Sequence, residues 1–316
     1  MNLSADLQYN TLNADLTDFA YPDRYTFLAA LATSFDWGKF KIQGSLLNTF
    51  VTESVEKGEP APDKNELTPA VVASYRPFGN VDLAFRAFYK RIFRMPTLND
   101  LYYTFIGNKH LEPEYTVQYN MGVCYGKTLN GRFLKRVEFQ TDFYYNEVED
   151  KIIAVPTSNQ FRWTMLNLGY VEIRGAEISA ELSALIAGVS FNLLASYTYQ
   201  KAQDFTDPES SSYGGQIPYI PWHSGSLILG AAYRSWSFNY SFIYTGERYE
   251  SSANIPENYA QPWYTSDLSL SKGFEIKKCR LHLSAEVNNI FDQQYEVVQC
   301  YPMPGTNFKI AASVLF

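Results

Sequence analysis

The chain has 316 residues, 46% of them apolar, and carries a formal net charge of −7. That acidic balance, with no basic stripe, excludes nucleic acid as the main partner, and the lack of any run of about 18 apolar residues excludes helical membrane spans. The aromatic share is high: 25 Tyr, 22 Phe and 5 Trp make up 16% of the chain, and these residues favour strands and membrane–water interfaces.

The predicted elements are strands of about ten or more residues in which apolar and polar positions alternate. A first strand precedes a long connection at Thr11–Asp23, and further alternating segments begin near Arg24, Lys39, Leu67, Val81, Tyr115, Lys135 and Tyr170. From Val189 onward, Phe191, Leu193, Ala195, Tyr197 and Tyr199 share one face, and Ser190, Asn192, Ser196, Thr198 and Gln200 share the other. A segment near Trp222 is followed by one carrying Trp236, Phe238, Tyr240, Phe242 and Tyr244 on a single face. Segments near Tyr264 and Leu281 come next, and the last begins at Thr306 with Phe308, Ile310, Ala312, Val314 and Phe316 as its apolar face.

The connections alternate in length. Short turns are expected near Asp36–Lys39, Pro77–Asn80, Leu129–Arg132, Ala187–Gly188, Ser235 and Glu275–Lys277. Long loops are expected at Thr11–Asp23, Thr52–Asn65, Ile92–Glu114, Ala154–Gly169, Ala202–Pro221, Glu250–Pro262 and Asp292–Gly305. Together they imply about fourteen strands, with short turns on one side and long loops on the other, as in outer-membrane barrels. Strand length separates this from a soluble sandwich, whose strands run about five or six residues, whereas a tilted membrane strand needs about nine to eleven. The polar faces also carry Glu138, Asp142, Glu177 and Glu181. Each unpaired charge in a packed core would cost several kcal/mol, a penalty that a wet lumen removes. The fold class expected is therefore all-β, a transmembrane antiparallel up-and-down barrel. The opening MNLSADLQYN has neither the basic nor the apolar region of a secretory signal. A barrel that must cross the inner membrane needs one, so the natural N-terminal part is expected to be missing.

Several segments together resemble the C-terminal half of the TonB-dependent outer-membrane receptors. They are FRMPTLNDLYY (Phe93 to Tyr103), GNKHLEPE (Gly107 to Glu114), NLGYVEIRGAEISAEL (Asn167 to Leu182), IPYIPWHSGSL (Ile217 to Leu227) and NNIFDQQYEVVQCYPMPGTNF (Asn288 to Phe308). They occur in the family's order from residue 93 onward. The resemblance implies a barrel of about 22 strands closed by an N-terminal plug. Residues 1–316 would be the C-terminal portion of that barrel, without the plug and the first strands. It further implies a bacterial outer-membrane location among lipid and uptake of a scarce small-molecule or metal-chelate cargo such as an iron–siderophore, haem, cobalamin or a glycan fragment. The partners implied are the TonB complex, engaged through the missing N-terminal region, and the barrel-assembly machinery, engaged through the terminal Phe316. The alternative is a complete passive channel of fourteen strands.

No catalytic, metal or cofactor site is expected. Cys124, Cys279 and Cys300 have no metal-ligand spacing, and His223 with Ser224 lacks a third group to orient a base. His282 alternates with lumen-facing positions and reads as a polar lining group. Asp204, Asp207 and Glu209 offer hard oxygen ligands without the spacing of a calcium loop, and solvated loop residues are the expectation there. The candidate cargo contacts on external loops are Arg94, Tyr102, Tyr103, His110, Arg162 and Tyr249, the arginines for an anionic chelate and the rings for a flat or apolar cargo. Phe105, Tyr244 and Tyr259 add further aromatics on that side, where interface anchoring is the competing role. His110 lies next to the family's loop segment, where a solvated histidine is the plainer reading.

Overall fold

The computed structural model describes residues 1–103, 107–129, 131–156, 163–276 and 279–315. Its strands are β1 (Asn2–Thr11), β2 (Asp23–Trp37), β3 (Phe40–Ser54), β4 (Lys64–Tyr75) and β5 (Asp82–Arg94). A short helix α1 (Leu98–Tyr102) leads to β6 (Glu114–Thr128), β7 (Leu134–Pro156), β8 (Trp163–Ile186) and β9 (Val189–Asp204). Then come β10 (His223–Tyr233), β11 (Trp236–Thr245), β12 (Arg248–Tyr249), β13 (Tyr259–Ala260), β14 (Trp263–Ile276) and β15 (Cys279–Asn288). β16 (Glu296–Val298), β17 (Tyr301–Pro302) and β18 (Asn307–Leu315) finish the chain. Fourteen of these strands form one antiparallel meander in sequence order, while β12–β13 and β16–β17 are small ladders inside long loops. β1 and β18 are the two ends of the sheet, each paired on one side only among the described residues.

The register carries the expected alternation across the wall. Trp37 pairs with Phe40, Phe35 with Ile42 and Leu31 with Leu46, while Asp36 faces Lys41 and Arg24 faces Glu53 on the opposite side. The polar face continues through Ser179–Ser196, Ser196–Ser226 and Ser241–Asp267. His282 stands on that same face, opposite Gly273 and Ser313. Positive-φ residues close the tight turns: Gly38 at +69° between β2 and β3, and Ala187 with Gly188 at +51° and +82° between β8 and β9. Two consecutive left-handed residues match the right-handed twist of the strands they join.

One expected loop is mostly strand. β7 reaches Pro156 and β8 begins at Trp163, with pairing continuous from Lys151–Leu168 to Pro156–Trp163, so 154–156 and 163–169 belong to the sheet. Ile152, Ile153 and Val155 oppose Asn167, Leu166 and Thr164 there. β-Branched and aliphatic cross-strand pairs of this kind stabilise a ladder even outside the apolar band. Lys277, in the turn expected at Glu275–Lys277, lies outside the described residues.

Glycines let side chains meet across an intervening strand. Gly122 stands between Arg86 and Asp142, and a Cβ there would collide with the Asp142 carboxylate. Over that gap the Arg86 guanidinium donates to both Asp142 oxygens at 3.0 and 3.1 Å. Gly175 likewise stands between Tyr144 and Gln200, and its Cβ would come within 2.6 Å of the Tyr144 hydroxyl. Tyr144 lies over the gap and donates to Gln200 Oε1 at 3.0 Å.

The densest burial sits at the long-loop end. Val148, Val171 and Ala202 share the polar-side parity of the wall but are buried by Ile217 of the loop before β10. Ile152 is buried by Leu101 and Leu111 of the α1 loop. These loops therefore fold back over the inner face of the sheet.

Candidate functional site

The α1 loop is built by its own sequence. Thr97 caps the helix, taking the Asp100 N–H on its hydroxyl at 3.1 Å while Asp100 accepts the Thr97 N–H at 2.9 Å, so the pair is a capping box. Leu98 and Leu101 are the buried face of this single turn. Gly107 is required by close approach, since a Cβ there would lie 2.7 Å from the backbone of Tyr103.

The loop is fastened at two points. Inward, the Tyr102 hydroxyl donates to Glu53 Oε2 at 2.8 Å and accepts the Ala61 N–H at 3.1 Å. Glu53 in turn accepts from Arg24 Nε at 2.7 Å, and both of these side chains are nearly excluded from solvent, at 1% and 10% exposure. Burial pushes the Tyr102 hydroxyl up to about 12; the Ala61 N–H opposes the rise and Glu53 reinforces it. Sideways, Asn167 on β8 accepts the Glu112 N–H and donates to the Glu112 carbonyl, at 2.9 and 3.0 Å. Asn108 donates to the Met165 carbonyl and Glu114 accepts the Ile152 N–H, at 3.1 and 3.0 Å. Beside the loop is a cavity of about 390 Å³ lined by Lys64, Met95, Leu101, Lys109, His110 and Glu112 among others.

A second assembly joins the loops before β10, β14 and β18. Gln216 and Asn254 exchange two hydrogen bonds, of 2.5 and 3.1 Å. Arg248, buried at 3% exposure, donates to the carbonyls of Glu296, Val297 and Gln261 at 2.9, 3.1 and 3.4 Å. Asn289, at φ +49°, donates its N–H to Asp267 and its amide to the Gln293 carbonyl, while Asp292 accepts the Thr306 N–H. A Cβ on Gly305 would collide with Asp292, which accounts for the glycine in the final segment. Between these loops is a cavity of about 660 Å³, lined by Glu250, Tyr259, Gln261, Trp263, Tyr295 and Glu296 among others. Trp263 and Tyr295 stack with centroids 4.5 Å apart. Burial, together with the charge of Glu296, raises the Glu250 carboxyl above its ordinary value, and Arg248 opposes that rise.

The expected contact residues are distributed unevenly. Arg94 is not a free cation: it is bridged to Asp100 at 3.7 Å and Glu114 at 3.4 Å. Tyr102 is committed to Glu53 and Ala61, whereas Tyr103 is 40% exposed. His110 is exposed, lines the smaller cavity, and its N–H is held by the Asn108 side chain at 3.0 Å. Tyr249 belongs to the second assembly, edge-on to Tyr259 at 6.0 Å and accepting the Tyr219 N–H. Arg162, Phe105 and Phe316 lie outside the described residues. His223 sits on the apolar face, with Nδ1 2.7 Å from the Tyr197 hydroxyl. Asp204 and Asp207 accept the backbone N–H groups of Thr206 and Glu209 in their own turn. Sequence reasoning missed Arg24, Glu53, Arg248 and Asn254; the only local trace of the first two is a charge at each end of a facing strand pair.

A model of the family described as TonB dependent receptor-like, beta-barrel matches residues 2–290. The vitamin B12 transporter BtuB of Vibrio vulnificus (strain YJ016) is 26% identical over 206 residues, 65% of this chain and 29% of the transporter. BtuB of Photobacterium profundum is 22% identical over 71% of this chain and 34% of its own length. Among solved structures, the unliganded ferric citrate transporter FecA superposes with a TM-score of 0.72 at 16% identity, over 93% of this chain and 45% of FecA. The ferric-catecholate import receptor Fiu from K12 E. coli gives 0.68 at 16% identity, over 98% of this chain and 50% of Fiu. The chain thus spans about a third of the length of these curated relatives and about half of these solved ones, which are themselves transporters and receptors. With its barrel segment matched over nearly its whole length, the chain belongs to the TonB-dependent receptor β-barrel family.

Proposed function

We propose that this chain is the C-terminal portion of the barrel of an outer-membrane receptor that takes up a scarce nutrient with energy supplied through TonB. The observation that carries this reading is the folded long-loop end. Two hydrogen-bonded loop assemblies lie over the inner face of a wall whose strands run about ten residues or more, the length a bilayer requires. Such an end presents built cavities to a cargo. The unjoined ends of the sheet also weigh against a closed fourteen-strand channel. The similarity to vitamin B12 transporters makes a corrinoid one cargo to test, alongside ferric siderophores, haem and oligosaccharides. TonB would be engaged through a preceding N-terminal region, and the assembly machinery through Phe316.

The test is disruption of the gene in its host, followed by uptake of radiolabelled cyanocobalamin, ferric siderophore, haem and oligosaccharide. The expected result is loss of accumulation of one of them, reproduced by collapsing the proton-motive force. Uptake that is unchanged for all four, or that falls but is insensitive to the proton-motive force, overturns the proposal; the second outcome is that of a passive channel.

A further inference from the structure

The larger cavity has a chemistry of its own. Among the described residues that line it none is a cation, and two are carboxylates, Glu250 and Glu296. The neighbouring Arg248 directs its N–H groups to backbone carbonyls instead of into the cavity. Gln261, Gln293 and Gln294 add three primary amides, each able to donate and accept. The Trp263 indole N–H is buried without a hydrogen-bond partner among the described residues, so it is the ring of Trp263 that meets the cavity. Trp263 is also on the inner face, in register with Thr245 and on the same side as Asp267.

Each group narrows the ligand. Carboxylates accept hydrogen bonds and repel anions, the amides pair with hydroxyls in either sense, and the Trp263–Tyr295 stack offers an apolar surface to C–H faces. An anionic chelate would have to approach two carboxylates without meeting a guanidinium or ammonium donor in the cavity. We infer that this cavity receives an uncharged, polyhydroxylated portion of the cargo and discriminates against anionic ligands. The inference rests on the uptake reading above and specifies the ligand chemistry of the same end of the molecule.

The test is made on the purified full chain in detergent and involves no transport. Tryptophan fluorescence is titrated with maltohexaose and with its carboxylated counterpart hexagalacturonate, and the signal of Trp263→Phe is subtracted to isolate Trp263. Maltohexaose is expected to perturb Trp263 at concentrations at least about tenfold below those needed for hexagalacturonate at low salt. Replacing both acids, Glu250→Gln with Glu296→Gln, should narrow that gap several-fold, chiefly by tightening the binding of hexagalacturonate. Equal or tighter binding of hexagalacturonate, no response of Trp263 to either probe, or a gap unchanged in the double variant overturns the inference. A chain that binds maltohexaose here and yet supports no energised uptake leaves the site standing and removes the transport reading.

Discussion

At the scale of single residues, two side chains that look available for cargo in the sequence, Arg94 and Tyr102, are committed to holding the loops. Arg94 and Tyr102 were both legible as a cation and a ring in a rim segment. Apart from Asp100, their partners Glu114, Glu53 and Ala61 lie 20, 49 and 41 positions away, separations that no local pattern reveals. The glycines of the quoted segments were legible as markers, and their reason became visible only as close approaches at Gly107, Gly175 and Gly305. The Arg24–Glu53 pair is the residue-scale feature with the largest expected effect. Arg24→Ala leaves a carboxylate at 1% exposure without its guanidinium, with an expected cost of about 3–5 kcal/mol. Thermal unfolding of the variant in detergent should show the loss. Arg24→Ala combined with Glu53→Leu should recover much of it, because the orphaned charge is gone.

Elements show where strand periodicity succeeds and where loop composition misleads. Alternation located the wall strands, because lipid and water on opposite faces impose a period of two on every one of them. It failed at 154–156 and 163–169, where cross-strand pairs such as Ile153–Leu166 and bonds to the α1 loop continue the ladder past the alternating stretch. Helix α1 was missed for the opposite reason: one turn is too short to show a period, and only Thr97-x-x-Asp100 announces it. The extended hairpin serves as the post to which the α1 loop is tied, with Asn167 as the main knot. Asn167→Ala removes three hydrogen bonds, to Glu112 N–H, Glu112 O and Asp150 O, at about 0.5–1.5 kcal/mol each. Limited proteolysis should then cut between residues 95 and 113 faster than in the parent chain, with cleavage of the wall strands unchanged.

For the whole molecule, the count of fourteen strands and their up-and-down order were legible from the alternation of short and long connections. The relation between the first and last strands was not, since pairing between the ends of a chain leaves no local trace. β1 and β18 stand as sheet edges, with Leu3 81% and Ile310 84% exposed. Exposed edges of this kind are open to pairing with another strand. With Cys124, Cys279 and Cys300 replaced by serine, cysteines placed at Ala5 or Leu7 and at Ile310 or Ala312 are expected to form no disulfide within one chain. Efficient intramolecular cross-linking would mean that fourteen strands close on themselves, and would revive the passive-channel alternative.

The bonds that skip a strand have a mechanical meaning. Ladder hydrogen bonds join each stave of the wall to the next, but Arg86–Asp142 ties β5 to β7 and Tyr144–Gln200 ties β7 to β9, each passing over a glycine. Both ties meet on β7, so they act as two overlapping hoops around a sector five strands wide. Pulling those strands apart breaks the hoops as well as the ladder, and flattening or flexing the sector shears side chains locked across the glycine gaps. Any widening of the wall would therefore meet its greatest resistance within β5–β9.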